Sequence, residues 1–83
     1  MKNEVTVLMT VYNPDLSHLR DAIESILNQS YSNFDFLIID DASPNPEVCR
    51  LIESFHDQRI KFIKNEINLG VSESINKALK LID

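Results

Sequence analysis

The sequence contains one cysteine, no cluster of basic residues and no long apolar run. Because Cys49 has no second cysteine to pair with, an internal disulfide is excluded, and we expect a cytoplasmic protein. The 8 Lys and Arg residues are scattered among 13 Asp and Glu residues, which gives a net charge of −5. This charge pattern excludes nucleic acid and anionic lipid as partners.

The apolar run near the N-terminus is interrupted by Thr6 and Thr10, and it is too short for a signal peptide or a membrane span. Apolar residues make up 43% of the sequence and charged residues 25%, the balance of a globular protein. We find no repeat, linker or low-complexity tract. The length of 83 residues therefore predicts a single domain over residues 1–83 with a thin core.

Strand-like and helix-like segments alternate along the chain. The predicted strands are 5–11, 34–39 and 59–64, and the first is apolar on both faces, as in buried strands of parallel sheets. Apolar residues spaced by three and four predict helices over 16–27, 48–55 and 71–82, with residues 56–58 closing the second. Pro14 delays the first helix until after Asn13, with Asp15 or Ser17 as its N-cap.

A β-α-β-α-β-α pattern predicts an α/β fold in which helices cover both faces of a parallel sheet. Right-handed crossovers give the strand order 3-2-1, half of a three-layer, Rossmann-like sheet. No segment of the sequence covers the free edge of the first strand. We therefore expect self-association through this edge or through the third helix.

Polar residues follow each predicted strand at its carboxyl end, where open parallel sheets bind ligands. An aromatic ring can stack on a base, and a carboxylate can accept a hydrogen bond from a base imide or from a ribose hydroxyl. Hydroxyl and amide side chains can satisfy the remaining polar edges. These residues are Thr10, Tyr12 and Asn13 after the first strand, Asp40, Asp41 and Ser43 after the second, and residues 65–70, including the only glycine, Gly70, after the third.

Four sequence blocks, in this order and spacing, resemble the opening of family 2 glycosyltransferases of the GT-A fold. The blocks are Thr-Val-Tyr-Asn at 10–13, Ile-Leu-Asn-Gln-Ser-Tyr-Ser-Asn-Phe at 26–34, Ile-Ile-Asp-Asp-Ala-Ser at 38–43, and Asn-Glu-Ile-Asn-Leu-Gly-Val-Ser at 65–72 with Asn76 beyond. The resemblance implies a truncated GT-A fold that binds a nucleotide-sugar donor, with a UDP-sugar expected, in polysaccharide biosynthesis.

The resemblance also implies a role for each residue. Thr10 and Tyr12 would line the pocket for base and ribose, and Asp41 would hold the edge of the base. Asp40 would support the strand end or contact the ribose. The remaining members of the implied nucleotide site are Asn13, Ser43, Asn68, Gly70 and Asn76, of which the last three would shape the floor near the sugar and diphosphate.

Two departures from the family pattern limit this interpretation. The family's metal motif lies on the strand after the third helix and its catalytic base lies further on, so residues 1–83 contain neither. The resemblance implies a divalent cation, Mg or Mn, for the full-length enzyme only, and Asp83, in the helical register, is not assigned as its ligand. Ile75 replaces an arginine that often precedes the Asn76 position. We therefore expect this chain to be inactive alone.

Simpler interpretations compete with this one. Asp40 and Asp41 could cap the next helix, Tyr12 could be an ordinary loop aromatic, and Cys49, His18 and His56 are interpreted as surface residues. A receiver-type signalling domain also has an acidic pair, but after its first strand rather than its second. The chain could also be a non-catalytic interaction or oligomerisation module with a truncated transferase fold.

Overall fold

A computed structural model describes residues 3–82, with side chains through Lys80. The alternation of strands and helices is as predicted, and the strand bounds differ from the prediction by one residue at most ends. The elements are β1 (Thr6–Val11), α1 (Leu16–Leu27), β2 (Asp35–Asp40), α2 (Glu47–Glu53), β3 (Ile60–Lys64) and α3 (Gly70–Ile82).

The three strands form one parallel sheet in the order β1-β2-β3, which confirms the predicted topology. Val11 lies opposite Asp40 on β2, and Asp40 lies opposite Lys64 on β3. The carboxyl ends of the strands therefore finish in one row, and the loops that follow them meet at the same edge of the sheet.

Alternate side chains of β2 point to opposite faces of the sheet, and each face is covered by helix. Phe36 and Ile38 pack with α1 and α2, whereas Leu37 and Ile39 pack with Ala78 of α3. This arrangement confirms the predicted three layers. The buried apolar residues are Leu19, Ile23, Phe34, Phe36, Leu37, Ile38, Ile39, Val48, Leu51, Ile52 and Ala78.

The most deeply buried strand differs from the prediction. Every residue of β2 is buried, whereas every residue of β1 is only half-buried. The apolar composition of β1 indicated burial on both faces, but β1 lies at the edge of the described sheet and pairs only with β2. Position in the sheet, rather than composition, decides which strand is enclosed.

The ends of the helices show local capping. Asp15 accepts hydrogen bonds from the backbone N–H groups of Ser17 at 3.0 Å and His18 at 3.1 Å, so it is the N-cap of α1. The predicted extension of α2 through Phe55 and residues 56–58 is wrong, because α2 ends at Glu53. After this point the Phe55 N–H bonds to the Ile52 carbonyl at 3.2 Å, which closes the end of the helix with a tighter turn.

A cluster at the amino ends of the strands fastens β3 to the connection between α1 and β2. The Arg59 guanidinium bonds Asp57 at 2.7 Å and the carbonyl groups of Leu27 at 3.2 Å and Ser32 at 3.4 Å. It also lies 4.8 Å from the centre of the Phe34 ring. We call this group of five residues the amino-end clamp.

No helix among the described residues is long and apolar enough to cross a membrane. Met1 and Lys2, which precede the short apolar run, lie outside the described residues.

Candidate nucleotide-binding site

An open pocket lies beyond the carboxyl ends of β1 and β2, against the first turns of α3. Its cavity volume is about 50 Å³, far below the roughly 300–1,000 Å³ of a complete small-molecule site. It is lined by Thr10, Val11, Tyr12, Asp41, Val71 and Ser74. The structure thus brings together the predicted trio of Thr10, Tyr12 and Asp41.

The Asp41 carboxylate binds three donors from the region between β3 and α3. Its Oδ1 accepts hydrogen bonds from the Leu69 N–H at 2.7 Å and from Asn65 Nδ2 at 2.9 Å, and its Oδ2 accepts one from the Gly70 N–H at 2.8 Å. The helix α3 begins at Gly70. Asp41, which follows β2, therefore caps the N-terminus of a helix that is distant in the sequence. Oδ2 accepts one of these three hydrogen bonds and Oδ1 accepts two, so the carboxylate of this pocket-lining residue keeps acceptor capacity.

These hydrogen bonds also set the protonation state of Asp41. Donation from the Leu69 N–H, followed by donation from Asn65, lowers the pKa of the Asp41 carboxyl below its ordinary value of 3.8. At neutral pH Asp41 is therefore ionised and acts only as a hydrogen-bond acceptor. The simpler interpretation predicted that the acidic pair caps the next helix, α2. The Asp41 carboxylate does cap a helix, but that helix is α3.

Asn65 holds Asp41 in place. The Asn65 side chain is buried, and its Nδ2 also lies 3.1 Å from the Ser74 hydroxyl oxygen. Its Oδ1 accepts a hydrogen bond from Lys77 Nζ at 2.9 Å, which orients the amide so that Nδ2 faces Asp41. The hydroxyl hydrogen of Ser74 is free to rotate, so this side chain can act as donor or acceptor at the pocket wall.

Sequence reasoning placed Asn65 in the loop facing the crevice but gave it no role, and it did not include Val11, Val71, Ser74 or Lys77 among the site residues. Asn65 directly follows β3, as Asp41 directly follows β2, so its position relative to the strand was a usable signal. Val71, Ser74 and Lys77 recur every three residues, which places them on one face of α3. The side-chain hydrogen bond of Ser74 with Asp41 joins distant parts of the sequence, and no local pattern indicates it.

Asp40, Ser43 and Asn13 are not among the residues that line the pocket. Asp40 is fully buried, and its Oδ1 accepts a hydrogen bond from the Ser43 N–H at 3.1 Å. The Ser43 hydroxyl oxygen in turn accepts the Asn13 N–H at 2.7 Å. Of the two roles implied for Asp40, support of the strand end matches this position.

The Cys49 side chain also reaches Asp40. Its thiol lies 3.8 Å from Asp40 Oδ2, and the residue is half-buried, so its prediction as a surface residue is wrong. The reason is that Cys49 lies in the first turn of α2, which packs over the end of β2. His18 and His56 are exposed, as predicted.

Two loops at the site have backbone angles that non-glycine residues rarely adopt. Asn13 has φ of 47° and Ala42 has φ of 65°, both in the left-handed region. Asparagine tolerates this region better than most residues, whereas a strained alanine costs roughly 1–3 kcal/mol. The two residues follow β1 and β2, so the strain is concentrated where the pocket lies.

The predicted floor residues Asn68, Gly70 and Asn76 lie outside the pocket lining, two at the start of α3 and one further along it. Gly70 has φ of 83°, a conformation that favours glycine, and its N–H is shared with the Asn68 Oδ1 at 3.1 Å. Asn76 is exposed on α3, near the half-buried Ile75. The structure therefore places Asn68 and Gly70 at the helix start, while Asn76 lies further along α3.

Within residues 3–82 no group of three or more His, Cys, Asp or Glu side chains is arranged to hold a metal ion. The described residues therefore do not fit a cation site, and we derive no step through one. Asp83, which the sequence placed in the helical register, lies outside the described residues.

The parallel three-layer sheet, with its pocket beyond the strand ends, is that of the Rossmann-like α/β class of ligand-binding folds. The chain belongs to Glycosyl transferase family 2, whose sequence profile matches residues 6–83. The acidic pair after β2 and the block from Asn65 to Gly70, which carried the resemblance, both lie inside this match. The receiver-type alternative is thereby excluded.

The chain is similar to several glycosyltransferases. It is 42% identical over 79 residues to an uncharacterized glycosyltransferase of Methanocaldococcus jannaschii, covering 93% of this chain and 27% of that protein. It is 36% identical over 76 residues to the UDP-Glc:alpha-D-GlcNAc-diphosphoundecaprenol beta-1,3-glucosyltransferase WfgD of Escherichia coli, covering 92% of this chain and 29% of the relative. The chain thus spans less than a third of either relative.

A solved structure has the same fold. The mannosyltransferase PcManGT of Pyrobaculum calidifontis, in complex with GDP-Man and Mn2+, superposes with a TM-score of 0.77 at 23% identity, covering 98% of this chain and 25% of that one. The described elements therefore correspond to part of a GT-A glycosyltransferase fold.

Proposed function

We propose that this chain forms the donor-nucleotide half-site of a family 2 glycosyltransferase. The observation that carries the proposal is the pocket in which the Tyr12 ring and the ionised Asp41 carboxylate line the same opening beyond the sheet. A half-exposed aromatic ring offers a stacking surface, and a carboxylate with remaining acceptor capacity can accept a hydrogen bond from an N–H group on the edge of a base.

The donor that we propose is a UDP-sugar. Uracil offers a single imide N–H, which suits an acceptor position of the Asp41 carboxylate, and Thr10 lines the same pocket. Guanine also carries a ring N–H donor, so a GDP-sugar would use the same contact. The names of the relatives, with UDP-Glc for WfgD and GDP-Man for PcManGT, agree with donors of this chemistry.

The transfer reaction belongs to a longer parent protein in this proposal. A divalent cation, Mg or Mn, would offset the diphosphate charge there, and a carboxylate would deprotonate the acceptor hydroxyl. We place both outside residues 3–82, so the isolated chain binds nucleotide without turnover. Cytoplasmic location and a role in polysaccharide synthesis are parts of the same proposal.

Titration of the chain with UDP, followed by NMR chemical shifts, tests the half-site. We expect millimolar affinity, about −4 kcal/mol, with shifts in the loops after β1, β2 and β3. Tyr12→Ala should weaken binding about tenfold, because stacking on a base contributes roughly 1–3 kcal/mol. Tyr31→Ala is the matched control, since Tyr31 is 57% exposed and Tyr12 55% exposed, but Tyr31 lies outside the pocket lining. Shifts confined to residues outside the three loops would refute the proposal.

Self-association is a separate part of the proposal. The described part of the sheet leaves one edge of β1 unpaired, and Val71 and Leu79 of α3 are 63% and 52% exposed. Such surfaces favour association between copies. Sedimentation velocity over a range of concentrations should show species larger than a monomer. Association without nucleotide binding would favour a non-catalytic oligomerisation module, and a monomer at every concentration would contradict this part.

A further inference from the structure

The first aspartate of the acidic pair is enclosed by protein atoms. Asp40 is 0% exposed, and the pocket lining includes Asp41 but not Asp40. Neither of the ion pairs found among the described residues involves Asp40. Burying a carboxyl group without a cation costs free energy unless hydrogen bonds compensate for the loss of water. The structural task of Asp40 can be followed from atom to atom.

Asp40 begins a short relay that ends in the loop bearing Tyr12. Its Oδ1 holds the Ser43 N–H at 3.1 Å, which fixes the backbone directly after the strained Ala42. The Ser43 side chain is 4% exposed, and its hydroxyl oxygen holds the Asn13 N–H at 2.7 Å. Asn13 is the second strained residue, and it directly follows Tyr12.

We propose that Asp40 and Ser43 are positioning residues that hold the Tyr12 loop in the conformation needed for stacking on a nucleotide base. The proposal rests on the nucleotide-binding function proposed above. It divides the acidic pair into two roles. Asp41 accepts a hydrogen bond from the edge of the base. Asp40 does not touch the ligand, but through Ser43 and Asn13 it holds the Tyr12 ring in position to stack on the face of the base.

The two roles differ in how they depend on the base. Stacking on an aromatic ring tolerates every base, whereas a hydrogen bond to Asp41 requires an N–H donor on the edge of the base. Loss of the relay should therefore weaken UDP, GDP and CDP by the same factor, and it should weaken N3-methyl-UDP as much as UDP. Loss of the Asp41 contact should weaken UDP but spare N3-methyl-UDP, since the methylated uracil has no N–H donor.

Ser43→Ala is the decisive variant, because it removes only the acceptor for the Asn13 N–H. We expect about threefold to tenfold weaker binding of UDP, GDP and CDP alike, the scale of one hydrogen bond. In the free protein, we expect faster hydrogen exchange at the Asn13 amide. Ser43→Thr, which keeps the hydroxyl, should restore both values, and Ser25→Ala on the exposed face of α1 is the control.

Asp40→Asn keeps the shape of the side chain and one oxygen acceptor for the Ser43 N–H, so its effect should be smaller than that of Ser43→Ala. Unchanged Asn13 exchange in Ser43→Ala would overturn the proposal, and so would weaker binding of UDP with unchanged binding of N3-methyl-UDP. If the wild-type chain bound no nucleotide, the proposed function would fall, while the Asn13 exchange rates would still decide whether the relay holds the loop.

Discussion

Each end of the sheet carries a polar cluster that connects neighbouring loops. The two clusters differ in how much hydrogen-bonding capacity they leave unused. In the amino-end clamp, Arg59 directs its guanidinium at the Asp57 carboxylate and at two carbonyl groups, and its flat face covers Phe34. At the carboxyl end, Asp41 binds three protein donors and still faces an open pocket.

Hydrogen bonding alone therefore does not distinguish a functional cluster from a structural one in this fold. What distinguishes them is unused hydrogen-bonding capacity beside a cavity. The clamp directs its charged group at protein atoms, which suits a role in stability. Asp41 combines a structural task with remaining acceptor capacity in a residue that lines the pocket, which suits the proposed recognition role. Substitutions in the two clusters should separate these roles.

The largest effect is expected at the clamp. Arg59→Ala removes an ion pair, two bonds to carbonyl groups and the contact with Phe34, and should lower the free energy of unfolding by about 2 kcal/mol. The affinity for UDP should not change, because the clamp lies at the opposite end of the strands. Urea denaturation and the UDP titration measure the two quantities, with Arg20→Ala on exposed α1 as the control. A parallel loss of UDP affinity would contradict the separation of roles.

Asp41→Asn should have the reverse profile. The neutral amide loses a charged acceptor, so the affinity for UDP should fall about tenfold, the scale of one hydrogen bond to a charged group. One end of the amide also presents N–H groups to the backbone donors of α3, so amide exchange in the first turn of α3 should quicken. Asp21→Asn removes the same charge from an exposed site on α1 and should match the wild type. Equal UDP affinity in both variants would exclude base recognition by Asp41.

Acid should weaken both clusters through their carboxylates. Hydrogen bonds from Arg59 lower the pKa of Asp57, and hydrogen bonds from Leu69 and Asn65 lower that of Asp41. Because both values are lower in the folded state, their contribution is complete above the ordinary value of 3.8 and is lost as the pH falls through the folded values.

Denaturation midpoints measured from about pH 5 to pH 2 should therefore decline below about pH 4 in the wild type. The decline should be shallower in Asp41→Asn and in Asp57→Asn. A slope that neither substitution alters would place the acid-sensitive groups elsewhere.

The smallest effect is expected at the strained loop after Asp41. Ala42→Gly relieves a left-handed alanine, worth roughly 1–2 kcal/mol, but adds about 0.5–1 kcal/mol of chain entropy in the unfolded state. The net result should be a gain of about 0.5 kcal/mol in stability with unchanged affinity for UDP. Thermal denaturation measures the gain, and a marked loss of stability would show that the alanine methyl group packs favourably.

The sequence allowed prediction of features with a local cause. The spacing of Leu19 and Ile23 indicated α1, and Asp15 was recognisable as its cap. The alternation of elements led to the parallel sheet, whose geometry brought Thr10, Tyr12 and Asp41 together. Features that depend on distant partners were missed or misjudged. The cap that Asp41 gives to α3 spans 28 residues, and the contact of Cys49 with Asp40 depends on how α2 packs over β2.

Asp41 caps α3 and, in our proposal, also recognises the base. This combination has a consequence for how such a site could evolve. A change at this position to suit another base would also remove the cap that begins α3, so the altered specificity would come with a damaged fold. Neighbours without a structural bond of this kind are freer to vary. We expect new donor preferences to arise by substitution at Thr10 or Val71, while Asp41 itself is seldom replaced.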